Sequence, residues 1–81
     1  MKRIAVVEDN LDNRMLVDAI LSDSYELTEY GDGPSALAGI KAARPDLVLL
    51  DVSLPGMSGP DVLKHLRADP AMAGLPIIAL T

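Results

Sequence analysis

Apolar and polar positions repeat along this chain with two periods. Ile4-Ala5-Val6-Val7 and Leu47-Val48-Leu49-Leu50 are unbroken apolar runs that stop at acids, Glu8-Asp9 after the first and Asp51 after the second. Ile77 to Leu80 is a third such run, ending at Thr81. Short apolar runs closed by polar and turn residues mark strands buried on both faces of a parallel sheet. Tyr25 to Tyr30 alternates instead, as a half-buried strand does. Between these runs the period lengthens to that of a helix. From about Leu11 to Leu21, Leu16/Ile20 and Val17/Leu21 are (i, i+4) apolar pairs, with Asn10 placed to cap. A second helix, Pro34 to Ala43, turns Ala36, Leu37 and Ile40 inward and stops before Arg44-Pro45. Ser58 and Asp61 form a capping box for a third, reaching about Arg67 and burying Val62, Leu63 and Leu66. The predicted order is βαβαβαβ. That is an α/β fold: a doubly wound parallel sheet with right-handed crossovers and helices on both faces.

In open parallel sheets ligands gather at the carboxyl ends of the strands. If the first and third strands are neighbours, Glu8, Asp9 and Asp51 converge there. Carboxylates crowded together repel, and a divalent cation is the usual remedy. Taken singly, Glu8 and Asp9 are also what solvated loop acids look like, Asp9 favouring a helix N-terminus, and Asp51 could simply cap a loop. The position of Asp51 after a buried central strand favours the site. His65 falls off the Val62/Leu63/Leu66 stripe and reads as a surface residue. Met57 and Met72 read as loop residues. Gly31-Asp32-Gly33 has neither phosphate-loop spacing.

Composition narrows the classes. With 81 residues and 49% hydrophobic content the chain is one small domain with a real core. That core is aliphatic, because Phe and Trp are absent and Tyr numbers only 2. A net charge of −5 with no basic run speaks against a nucleic-acid surface. No cysteine excludes disulfides and thiolate chemistry. Met1-Lys2-Arg3 is followed by too few apolar residues for a signal peptide or membrane span, so a cytoplasmic location without membrane contact is expected.

Joined in order, the motifs resemble the receiver domain of bacterial two-component response regulators, especially CheY-like members. They are Val7-Glu8-Asp9-Asn10, Asp32-Gly33, Asp46 to Asp51, Leu54-Pro55-Gly56-Met57-Ser58-Gly59 and Pro76 to Thr81. Each is weak alone; their order and spacing across nearly the whole chain are specific. The resemblance implies a flavodoxin-like sheet of order 2-1-3-4. It implies Mg²⁺ held by Glu8, Asp9, Asp51 and the backbone carbonyl of Ser53. Asp51 becomes the phosphoacceptor and Thr81 the switch hydroxyl. Implied partners are a histidine kinase or histidine phosphotransfer protein and a downstream protein target, with no nucleic acid bound through this domain. An Asp carboxylate can attack phosphorus to give an aspartyl phosphate, a reaction that needs charge neutralisation more than covalent help.

One departure is large. Receiver domains run to about five strands and five helices over roughly 120 residues. Residues 1–81 match the N-terminal two-thirds, so helix four, strand five with its phosphoryl-pairing lysine, and helix five are expected to be absent. Strand four then becomes an open edge, and the face shared with helix one is uncovered. Either the chain is a portion of a longer protein or a homodimer repairs the edge. Three function classes follow. The first is a signalling phosphoacceptor that promotes only its own phosphorylation and dephosphorylation. The second is a haloacid-dehalogenase-type phosphatase, disfavoured because Ser53 stands where that class places a second Asp. The third is a truncated or degenerate receiver serving only as a protein-interaction module.

Overall fold

The computed structural model describes residues 1–80 of the chain. Its elements are β1 (Arg3–Val7), α1 (Leu11–Leu21), β2 (Glu26–Tyr30), α2 (Gly33–Ala43), β3 (Leu47–Asp51), α3 (Gly59–Ala68) and β4 (Ile77–Leu80). All strand pairs are parallel, as the alternation of elements predicts, and the sheet order is β2-β1-β3-β4, the order that the family resemblance implies. Where a boundary differs from the one expected, it shifts by a single residue. The extension of β3 to Asp51 matters most, because it makes the acid part of the sheet.

Local chemistry explains the helix ends. Asn10 Oδ1 accepts from the Asn13 N–H at 3.1 Å, and Asp32 Oδ1 accepts from the Ser35 N–H at 2.8 Å, each satisfying an orphan donor of a first turn. The Ser58/Asp61 capping box is reciprocal, at 3.3 and 3.4 Å. The helix-two stop takes a form the sequence does not reveal. Arg44 adopts a left-handed backbone (φ 50°) instead of the extended one favoured before proline, and its N–H donates to the Ile40 carbonyl at 2.9 Å. Arg67 closes the α3–β4 connection by donating from Nη1 to the carbonyls of Ala73 and Leu75.

Strand alternation divides the core in two. Ala5, Val7, Val48 and Leu50 face α2 and α3, meeting Ala36, Ile40, Val62 and Leu66, all essentially sealed from solvent. Ile4, Val6 and Leu49 face α1. The second side is thinner, and here the helix-one stripe needs correction. Val17 and Leu21 pack on the sheet, half-buried, whereas Leu16 and Ile20 are 60% and 67% exposed. The two rows lie about 100° apart around the helix, so a single sheet contact covers only one of them. Leu63 is likewise exposed, because α3 seats on its Val62/Leu66 row. Met72 lies in the α3–β4 connection, as the sequence reading has it, yet is 4% exposed and belongs to the core; Met57 is half-buried against it. His65 is on the surface, its Nδ1 2.9 Å from the Asp61 carbonyl.

The two sheet edges differ in chemistry. β2 carries exposed Glu26 and Glu29, the latter 4.0 Å from Arg14. β4 carries only Ile77, Ile78, Ala79 and Leu80, with Ile78 51% exposed. The Pro76 carbonyl accepts from Val48 of β3 and the Leu80 carbonyl from Val52 just beyond it, so by strand alternation Ile77 and Ala79 turn their backbone groups outward. Beside them lies an apolar groove against Val52, Pro60 and Leu63.

Candidate metal centre

The register builds the site. Val7 pairs with Leu50, so the next residues of two adjacent parallel strands, Glu8 and Asp51, emerge side by side at the carboxyl end of the sheet. Asp9 follows at the start of the turn into α1. Carboxylate oxygens of Glu8, Asp9 and Asp51 all lie within 4.8 Å of one another. Glu8 and Asp51 are only 3% and 8% exposed, whereas Asp9 opens to solvent.

Backbone amides orient the two buried acids. Asn10 N–H donates to Glu8 Oε1 at 3.0 Å, and Ser53 N–H donates to Asp51 Oδ1 at 2.9 Å. The Glu8 N–H is itself held by the Tyr30 carbonyl at 3.0 Å. These are single bonds on groups that each accept several. Among the described residues the ion pairs are Arg14–Glu29 and Lys41–Asp69, neither of which reaches the cluster.

Burial raises the Glu8 carboxyl above its ordinary range. The Asn10 amide opposes that rise, while the hydrogen bond and charge of Asp51 add to it. Three crowded carboxylates are a hard all-oxygen donor set, the type that suits Mg²⁺ or Ca²⁺ and not a thiophilic metal. The residues therefore fit the metal that the sequence implies.

A test follows from the direction of that rise. A raised acid stabilises the fold fully below the ordinary glutamate value, and that contribution is lost as pH climbs through the raised one. Glu8→Gln mimics the neutral form. In chelator it is expected to unfold at higher temperature than the parent at neutral pH, the gap closing in acid. With Mg²⁺ the order is expected to reverse if Glu8 is a ligand, since losing even an outer partner of a metal site costs about 10–100-fold in affinity. Thermal unfolding followed by circular dichroism reads both arms.

Ser53 is exposed at the start of the β3–α3 loop, next to its amide contact with Asp51. Leu54, 6% exposed, pins that loop to the core, and Gly56 (φ 70°) supplies its left-handed turn. Thr81, the expected switch hydroxyl, lies outside the described residues. Sequence reasoning missed Gly59. It is buried at the head of α3 against the backbone of Asp51 and Val52, a contact that no sequence spacing announces.

Comparison with known proteins agrees with this geometry. The family model for the response regulator receiver domain matches residues 4–81. The DNA-binding response regulator MtrA of Mycolicibacterium paratuberculosis is 44% identical over 81 residues, covering 99% of this chain and 35% of that protein. The chain thus spans about a third of the length of such curated relatives. Among solved structures, the receiver domain of the sensor histidine kinase PA1611 from Pseudomonas aeruginosa superposes with a TM-score of 0.94 at 34% identity. It is matched over 99% of this chain and 66% of its own, and was solved with a magnesium ion coordinated in its active-site cleft. The chemotaxis protein CheY4 of Vibrio cholerae gives 0.91 at 32% identity, over 98% of this chain and 67% of its own. With a sheet of order 2-1-3-4, an acidic cluster at its carboxyl end and a family match over almost every residue, the chain belongs to the response regulator receiver domain family.

Proposed function

We propose that this chain is a phosphoacceptor of two-component signalling. In this reading Asp51 takes a phosphoryl group from the phosphohistidine of a histidine kinase or histidine phosphotransfer protein. The observation that carries the reading is the cluster itself: three carboxylates within 4.8 Å, two of them buried, with no basic partner among the described residues. Such an arrangement is costly for a fold that gains nothing from it.

An Asp51 carboxylate oxygen attacks phosphorus, forming the O–P bond. The P–N bond breaks, and its electron pair leaves with the imidazole of the donor. The Ser53 N–H on Oδ1 restrains rotation of the carboxylate. Glu8, Asp9, Asp51 and the Ser53 carbonyl would hold Mg²⁺, which when bound supplies the positive charge that offsets the phosphoryl oxygens. Glu8 is kept in place for that task by the Asn10 amide. Thr81 is assigned, from the family pattern alone, the hydroxyl that answers phosphorylation.

The chain acts in the cytoplasm and turns over no external substrate, promoting only its own phosphorylation and dephosphorylation. No helix among the described residues is long and apolar enough to cross a membrane. Output passes to a downstream protein. The uncharged β4 edge and its groove suit a further strand, which a second copy of the chain could supply. A second reading, an interaction module without phosphoryl chemistry, is favoured by the apolar surface of Leu16, Ile20, Leu63 and Ile78.

Intact mass after incubation with acetyl phosphate separates the two readings. The phosphoacceptor reading expects one hydroxylamine-labile phosphoryl adduct that forms with Mg²⁺ and fails to form in chelator. No adduct on a chain that circular dichroism shows to be folded means that these residues alone do not suffice, favouring the interaction module or a longer parent protein that supplies the missing groups.

A further inference from the structure

We propose that Gly59 is a positioning residue for the Asp51–Ser53 segment: its missing side chain lets the head of α3 lie against the backbone on which the acid and the carbonyl are carried. This role rests on the metal-centre reading above.

A Cβ at Gly59 would fall far inside van der Waals distance of the Asp51 carbonyl oxygen, 2.5 Å from Val52 Cα and 3.1 Å from the Asp51 carbonyl carbon. Other glycines of the fold meet softer neighbours. At Gly33 the obstacle is the Met57 side chain, from its Cβ at 2.9 Å to its Sδ at 3.0 Å; at Gly39 it is the tip of the Tyr30 side chain. Gly56 and Gly74 face open space. Gly59 alone among these meets only backbone, which no rotamer change can move away.

Both sides of the contact are stiff. α3 is fixed by Val62 and Leu66, each fully buried, and by its reciprocal capping box. β3 is paired on both flanks, by β1 and β4. The piece free to yield is Val52–Ser53, where both residues are exposed and the Val52 N–H reaches the Leu80 carbonyl at a long 3.3 Å. Displacement there moves the Ser53 carbonyl, and through the Ser53 N–H it also turns the Asp51 carboxylate. A shift approaching 1 Å in a ligand set is enough to lose much of its function.

The test compares Gly59→Ala with Gly74→Ala, using Mg²⁺ alone as the probe in calorimetric titration and amide NMR spectra in chelator as the metal-free readout. The expected result for Gly59→Ala is a folded chain whose Val52 and Ser53 amide signals move before any metal is added. Its Mg²⁺ affinity per folded molecule falls at least about tenfold. Gly74→Ala should leave both unchanged. If Gly59→Ala unfolds in buffer, the titration is repeated in trimethylamine N-oxide, which favours the compact state. Wild-type affinity in the folded variant overturns the positioning role, as does failure to fold even in the osmolyte, which would make Gly59 a requirement of the fold alone. A parent chain that binds no Mg²⁺ overturns the metal-centre reading instead, so the two failures are distinguishable.

Discussion

Asp51→Asn is expected to abolish the phosphoryl adduct while leaving the fold intact. The carboxamide keeps the shape of the side chain, and its oxygen can still accept from the Ser53 N–H, so the bond at 2.9 Å has a partner in the variant. What it loses is the nucleophile, since a neutral amide does not attack phosphorus in place of a carboxylate. It also removes one negative charge from a crowded, 8% exposed position, so metal-free stability at neutral pH should equal or exceed that of the parent. Intact mass after acetyl phosphate and Mg²⁺ treatment, with circular dichroism on the same sample, gives the answer. A hydroxylamine-labile adduct persisting at parental yield would move the phosphoacceptor role to another acid of the cluster.

Leu66→Ala is expected to destabilise the chain by about 2–5 kcal/mol. Leu66 is fully buried in the core cluster shared by α2 and α3, and close-packed interiors relax only partly around a deleted side chain. Small domains carry roughly 0.05–0.15 kcal/mol of stability per residue, so this loss is a large share of what so short a chain can hold. Leu63→Ala, one turn of sequence away and 37% exposed, should cost less than about 1 kcal/mol. Urea unfolding of the pair reads the contrast. Similar midpoints would mean that α3 does not seat on its Val62/Leu66 row.

The order of elements, the parallel sheet and the convergence of Glu8, Asp9 and Asp51 were legible in the sequence because each rests on a short-range signal. Apolar runs ending at acids mark buried strands, and adjacent strands bring their ends together. Asn10, Ser58 and Asp61 were legible as caps because the donors they satisfy are only a few residues away. What escaped was decided by contact between distant segments. Leu16 and Ile20 carry the same apolar signal as Val17 and Leu21, yet only one row meets the sheet. Periodicity gives a helix its stripe, not the width of surface waiting for it. Met72 lies in an irregular stretch where no period exists to mark it, and its burial comes from the core it closes. The left-handed Arg44 ran against the bias of a residue before proline, held there by the hydrogen bond to Ile40. Gly59 was visible as a letter of a motif, but its reason is the backbone of Asp51, eight positions earlier in the sequence.

The unlike chemistry of the two sheet margins has a consequence for how large any assembly can become. Endless growth by strand addition requires two receptive ends on every subunit, and here the two ends are unequally receptive. A strand docking on Ile77–Leu80 finds unpaired amides and no charge to repel it. At the opposite margin, Glu26 and Glu29 would confront their own counterparts or the overall negative charge of the next chain. If a second copy adds at β4, as proposed above, the resulting particle is bounded by β2 strands on its outer sides, which disfavours further addition. Two copies joined through β4 would close as an isologous pair, leaving only their acidic β2 margins for any growth into a filament.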